Sequence, residues 1–164
     1  MINKNNFAAI LICMSILSTT SCKKDDNESV GSQTKSEMLM GNNWVLEAWT
    51  IDPPYDWNND GIDDTDVLQF MDDCKLDDLM NFKSDASYLF EEGNTKCDPT
   101  DDQIIETGTW TLSTNENVLL LTETGDDDPK EFPIKSLSAK QLILEIQTYD
   151  RWTDTTYSET RVYK

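Results

Sequence analysis

The chain is expected to fold as an all-β protein, an antiparallel eight-stranded up-and-down barrel with a short N-terminal helix. Stretches of strand character recur eight times at short intervals between residues 44 and 163, separated by residues that favour turns. No segment carries the long 3.6-residue apolar period of an amphipathic helix. Within the strands apolar residues alternate, with Trp110 and Leu112 on one face, and with Leu142, Leu144 and Ile146 opposite Ile143. Eight successive antiparallel strands hide their edges by closing on themselves, and the interior of such a barrel either fills with side chains or holds one small ligand. A two-sheet sandwich is the alternative arrangement of the same strands.

Residues 1–21 read as an export signal. An apolar run over residues 7–17 is too short to span a bilayer, Lys4 is the sole charge before it, and Ser18-Thr19-Thr20-Ser21 leads into Cys22. This order resembles the signal of bacterial lipoproteins, which implies cleavage before Cys22 and acylation of that residue. Thr19 stands where such signals usually place a large aliphatic residue, and looser versions of this kind look like those of Bacteroidetes-type lipoproteins. Lys23-Lys24-Asp25-Asp26-Asn27-Glu28 resembles the lysine-then-acidic signal that sends those proteins to the outer face of the outer membrane. The resemblance implies a surface-facing protein whose first partner is outer-membrane lipid, held through acylated Cys22. An ordinary secreted protein whose signal ends near a cysteine is the plainer reading. Residues 22–34 form the expected flexible tether, with Ser, Gly and Gln and no apolar periodicity over residues 27–34, and residues 35–164 suffice for one domain.

Composition narrows the function. With 32 acidic and 13 basic residues and no histidine, the chain has a formal net charge of −19, and removal of Lys4 makes the mature part more negative still. Nucleic acid is excluded as a partner, because its non-specific binding needs clustered Lys and Arg. A surface this acidic favours solubility and attracts cations. Of the four cysteines, Cys13 leaves with the signal and Cys22 becomes the anchor. The remaining pair, Cys74 and Cys97, is most simply a disulfide of an exported domain. A metal held by these two thiols lacks histidine partners.

The elements follow in order. Residues 35–40 make a brief helix stopped by Gly41, and residues 44–51 make the first strand, ended by Pro53-Pro54. An acidic loop is expected over residues 55–74. Further strands are expected over residues 79–83, 86–92, 107–112, 118–122, 131–137, 141–149 and 155–163. Ser84-Asp85, Asn115-Glu116-Asn117 and Ser138-Ala139-Lys140 supply reversals between neighbours.

Three motifs carry a family resemblance: Gly41-Asn42-Asn43-Trp44 entering the first strand, the hairpin Phe82-Lys83-Ser84-Asp85-Ala86-Ser87-Tyr88, and Gly108-Thr109-Trp110-Thr111-Leu112 before a turn and an apolar strand. In that order and spacing the chain resembles the lipocalin-like domain lipoproteins of Bacteroidetes-type bacteria. The resemblance implies a small calyx for an apolar ligand, with no particular ligand and no catalytic set.

One local motif invites a metal. Asp56, Asn58 and Asp60 stand at relative positions one, three and five of an EF-hand-type loop, with Gly61 at six, the Ile62 carbonyl at seven and Asp64 at nine. Position twelve, where a bidentate glutamate should close the shell, is Val67, so Asp63 and Asp66 are the residues left to complete a calcium site. A hydrated acidic insertion built from Asp and Asn turns explains the same residues without metal. Among the aromatics, Trp44 and Trp110 suit the core, while Tyr55 and Trp57, in the loop segment, are the candidate ligand-binding pair. Catalysis is not expected. Without histidine the usual base for a serine or cysteine nucleophile is missing, and no carboxylate pair stands out in an apolar setting. Two functions are therefore carried forward. The first is a surface lipoprotein whose barrel binds a small apolar or amphipathic ligand at its mouth. The second is a calcium-stabilised structural subunit with a filled barrel, whose acidic loops contact a protein or glycan partner.

Overall fold

The computed structural model describes residues 33–164; the expected export signal, Cys22 and nearly all of the expected 22–34 tether lie outside them. Thr34 caps helix α1 (Lys35–Met40). Its Oγ1 accepts from the Glu37 amide at 3.2 Å while Glu37 Oε2 accepts from the Thr34 amide at 2.7 Å, so two free amides of the first turn are satisfied together. Nine strands follow among the described residues: β1 (Asn43–Tyr55), β2 (Asp64–Asp66), β3 (Leu79–Phe82), β4 (Ser87–Glu91), β5 (Ile104–Leu112), β6 (Val118–Glu123), β7 (Lys130–Ser138), β8 (Gln141–Asp150) and β9 (Thr155–Tyr163).

Every pairing is antiparallel, and β1 joins both ends of the order. Its first residues pair with β3, while Leu46 to Asp52 pair with β9, so that Trp49 stands opposite Arg161 and Ile51 opposite Glu159. This seam closes an eight-stranded barrel of β1 and β3 to β9 and removes the sandwich. The ninth strand, β2, lies outside that count and covers the upper part of β1 through Thr50↔Asp66 and Tyr55↔Asp64.

Two sequence expectations need correction. β1 does not stop before Pro53-Pro54 but runs to Tyr55. Proline cannot donate to a ladder, and here it does not have to: pairing with β9 ends at Asp52 and pairing with β2 resumes at Tyr55, with both prolines between. The segment expected as loop over residues 55–74 contains β2 and two 3₁₀ turns, Leu68–Phe70 and Asp73–Lys75. Asp64-Thr65-Asp66 has no apolar alternation, and it is strand because β1 offers it a free edge.

One end of the barrel is closed. Leu39 of α1 and Trp44 of β1 are 0% and 1% exposed, and they pack with Phe82, Trp110, Leu119 and Leu142. Lys35 Nζ donates to the Glu116 carbonyl at 2.7 Å and Asn42 Nδ2 to the Ala139 carbonyl at 3.0 Å, tying the helix to the β5–β6 and β7–β8 turns. Gly108 of β5 lies inside this wall, where a Cβ would sit 2.6 Å from Tyr88 Cε1 and closer still to the Thr122 carbonyl oxygen. Backbone cannot yield there as a flexible side chain would. Gly108→Ala is expected to lower stability by about 1–3 kcal/mol, read as a lower midpoint in urea unfolding with the slope unchanged.

Candidate functional site

The open end is built by the long strands β1, β8 and β9. Residues two apart share a face, so Tyr157, Glu159, Arg161 and Tyr163 of β9 all point inward, as do Leu142, Leu144 and Thr148 of β8. Two of these are charged, and they are matched inside the barrel. Glu159, 7% exposed, accepts from Arg161 Nη2 at 2.9 Å, from Trp49 Nε1 at 3.1 Å and from Thr148 Oγ1 at 2.7 Å. Arg161 Cζ lies 4.4 Å from the centre of the Trp49 ring. Burial pushes the Glu159 carboxyl up, but the hydrogen bonds from Arg161, Thr148 and Trp49, with the Arg161 charge, outweigh it and hold the pKa below its ordinary 4.5. Because the folded value is depressed, Glu159 contributes stability above about pH 4.5 that is lost as pH falls through the lower folded value. Chemical unfolding is therefore expected to show wild type more stable than Glu159→Gln at pH 7, with the gap narrowing as the pH drops below 4.5.

This polar layer divides the interior. On its inner side two cavities of about 160 Å³ each share Phe90, Arg161 and Tyr163 as lining. One extends to Glu106, Phe132 and Leu144, and the other to Trp49, Lys75 and Asp78. On its outer side a cavity of about 190 Å³ lies between Ile51, Tyr55, Trp57 and Tyr157, with Glu159 at its floor and Asp150 at its edge. Val67 of the acidic insertion, 1% exposed, packs with Ile51 and Tyr157, two residues that line this compartment. A wider hollow of about 430 Å³, lined by Ser84, Trp110 and Glu116, lies at the closed end and is open to solvent.

The two aromatics expected to bind ligand do meet. Tyr55 and Trp57 stand 6.4 Å apart between ring centres and nearly perpendicular, with Tyr157 5.3 Å from Tyr55 and Trp49 5.6 Å from Trp57. Tyr55 ends a strand and does not sit in a loop, which holds it against Tyr157.

The candidate calcium residues are brought together only in part. Asp56 accepts from the amides of Asp60 and Gly61, both at 2.9 Å, and Asp60 accepts from the Ile62 amide at 2.9 Å and from Asn58 Nδ2 at 2.9 Å. Gly61 permits the turn with φ +88°. Asp64 accepts from the Trp57 amide at 3.2 Å, but Asp66 is drawn into β2 and accepts from the Leu68 amide at 3.1 Å. Among the described residues no three carboxylates of this loop bring oxygens within 4.8 Å of one another. Cys74 and Cys97 are joined, with Cα atoms 5.1 Å apart, and the bond links the insertion to the β4–β5 loop at the open end.

The interior charges escaped the sequence reading. The alternation that marked β8 also runs through β9, and it places Glu159 and Arg161 on the face of Tyr157 and Tyr163; an inward acid two residues from an inward base is the signal that was available.

A family model described as a lipocalin-like domain matches residues 39–144. Among solved structures, bovine odorant binding protein in complex with undecanal aligns at 13% identity and a TM-score of 0.41, over 83% of this chain and 76% of that one. The same bovine protein with a selenium-containing odorant aligns at 13% identity and 0.40, over 83% and 74%, and its deswapped triple mutant at 12% and 0.37, over 74% and 70%. No curated protein matches the sequence.

Proposed function

The chain belongs to the lipocalin-like domain family, and from that premise we propose that it is a surface lipoprotein whose barrel binds a small apolar or amphipathic ligand, without catalysis. The observation that carries this reading is the position of the inner cavities. They lie above a filled closed end and below a buried polar layer, bounded by Phe90, Phe132, Leu144 and Tyr163, where a ligand of modest size escapes water without displacing the core. Titration with the fluorescent probe N-phenyl-1-naphthylamine tests it. Saturable one-to-one binding that Phe132→Trp weakens at least about tenfold by filling the cavity is expected. Absent or non-saturable binding would sink the reading and leave the filled-barrel subunit.

Anchoring belongs to the same proposal. Cleavage before Cys22 and its acylation would place the domain on the outer face of the outer membrane, supported by Ser18 to Cys22 and the Lys23-Lys24-Asp25-Asp26 run. In cells, Cys22→Ala is expected to abolish labelling by radioactive palmitate and release the protein from membranes; unchanged membrane association would refute the anchor.

The second reading, a calcium-stabilised insertion, is favoured by the mutual placement of Asp56, Asn58 and Asp60. These residues, with the Ile62 carbonyl and Asp64, would hold the ion, and water would complete the six to eight oxygens that calcium needs. Bound there, the ion would offset repulsion among the carboxylates. Terbium luminescence excited through Trp57 is the check. A saturable signal displaced by calcium and lost in the Asp56→Asn, Asp60→Asn double variant is expected, and a signal indifferent to both substitutions would reduce the motif to an acidic turn.

A further inference from the structure

Among the described residues, Arg161 Nε is a donor left without an acceptor. Its exposed area is under 1 Å², and among the described residues no group accepts its hydrogen. Nη2 donates to Glu159 and the Trp49 ring lies against Cζ, so this partly exposed side chain is held with Nε turned into the barrel. A buried donor without an acceptor costs free energy, and such groups in native proteins call for an explanation. This one belongs to the residue that lines both inner cavities.

We propose that the inner cavities take an uncharged amphiphile of the ketone or ester class, its carbonyl oxygen accepting from Arg161 Nε and its tail lying against Phe90 and Tyr163. The inference rests on the reading that the barrel interior is the binding site and narrows it to a headgroup. Charge decides against an anion. The Arg161 charge is already matched by Glu159 at 2.9 Å. The other ionisable groups facing these cavities are Glu106, which accepts from the Tyr88 hydroxyl, the Tyr163 phenol, Lys75, which is paired with Asp72 at 2.9 Å, and Asp78, which is 8% exposed. Burial pushes the Asp78 carboxyl up, as expected of a site that disfavours further negative charge. A ligand carboxylate would add a surplus buried charge beside these acids, in a chain of net charge −19. A carbonyl offers the acceptor without the charge, and a plain hydrocarbon leaves the donor bare.

Cavities of about 160 Å³ fall below the usual size of ligand pockets, so short probes are appropriate. 2-Octanone, octane and octanoate, each displacing N-phenyl-1-naphthylamine from the full chain at pH 7, separate the cases. 2-Octanone is expected to bind at least about tenfold more tightly than either of the others. Arg161→Met is expected to bring ketone and hydrocarbon within about twofold, as is the Arg161→Met, Glu159→Gln double variant, which avoids stranding the Glu159 charge and keeps the test sound if the single variant unfolds. Octanoate binding as tightly as the ketone, octane matching the ketone in wild type, or a ketone preference surviving in the double variant would each overturn the headgroup while leaving barrel binding intact. Failure of all three probes and of the naphthylamine itself would overturn both.

Discussion

Trp44→Ala is expected to cost about 3–5 kcal/mol, enough to leave the domain marginally folded at room temperature. Trp44 is 1% exposed at the closed end and its ring joins β1 to α1 and to the Phe82 and Trp110 layer. Its Nε1 donates at 2.8 Å to the Leu39 carbonyl, one of the last-turn carbonyls that a helix cannot satisfy internally. Removing the side chain therefore opens a cavity and strands an acceptor in one step. Trp44→Phe, which keeps most of the ring and loses only the donor, is expected to cost less, about 1–3 kcal/mol. Urea unfolding of both variants measures the two parts. An alanine variant within 1 kcal/mol of wild type would mean that α1 is not a structural plug.

Loss of the Cys74–Cys97 bond has the second large effect. The bond closes a 23-residue separation, which the chain-entropy model values at about 3 kcal/mol, and in a domain of this size that lowers the melting temperature by roughly 10 °C. The Cys74→Ala, Cys97→Ala double variant measures it without leaving a free thiol. Where stability is lost matters as much as how much. The bond ties the insertion to the β4–β5 loop, and Val67 of that insertion packs with Ile51 and Tyr157 of the outer aromatic compartment. Hydrogen exchange is therefore expected to rise first in the insertion, around Val67 and the turn Leu68–Phe70, with the closed end least affected. Uniform loss of protection would make the bond a general staple and not a clasp on the mouth.

These two residue sets sit at opposite ends of the barrel, and their legibility differed. Trp44 and Trp110 were readable as core because large aromatics at strand alternation have few other places to go. The disulfide was readable by arithmetic, since only two cysteines remain once an exported chain gives up Cys13 and Cys22. The insertion was harder. Its acidic residues suggest one calcium loop, and the free edge of β1 also takes Asp64 and Asp66 into a strand. Local spacing describes what a loop offers and not which of its residues a neighbouring strand will claim.

What the sequence determined by itself was therefore periodic or countable: antiparallel strands with one apolar face, the turns between them, an N-terminal helix, one cysteine pair and a strongly acidic surface. The closed barrel was expected from the strand succession, but only the tertiary structure decided which residues meet where β1 closes onto β9, because that register lies between strands more than a hundred residues apart along the chain. That same closure turns Glu159 and Arg161 from residues of an ordinary polar strand into an inward-facing pair, the acid buried and the base partly so, set against Trp49 across the seam. Alternation assigns a residue to a face, but whether that face meets water or an enclosed interior is fixed by the last strand to pair.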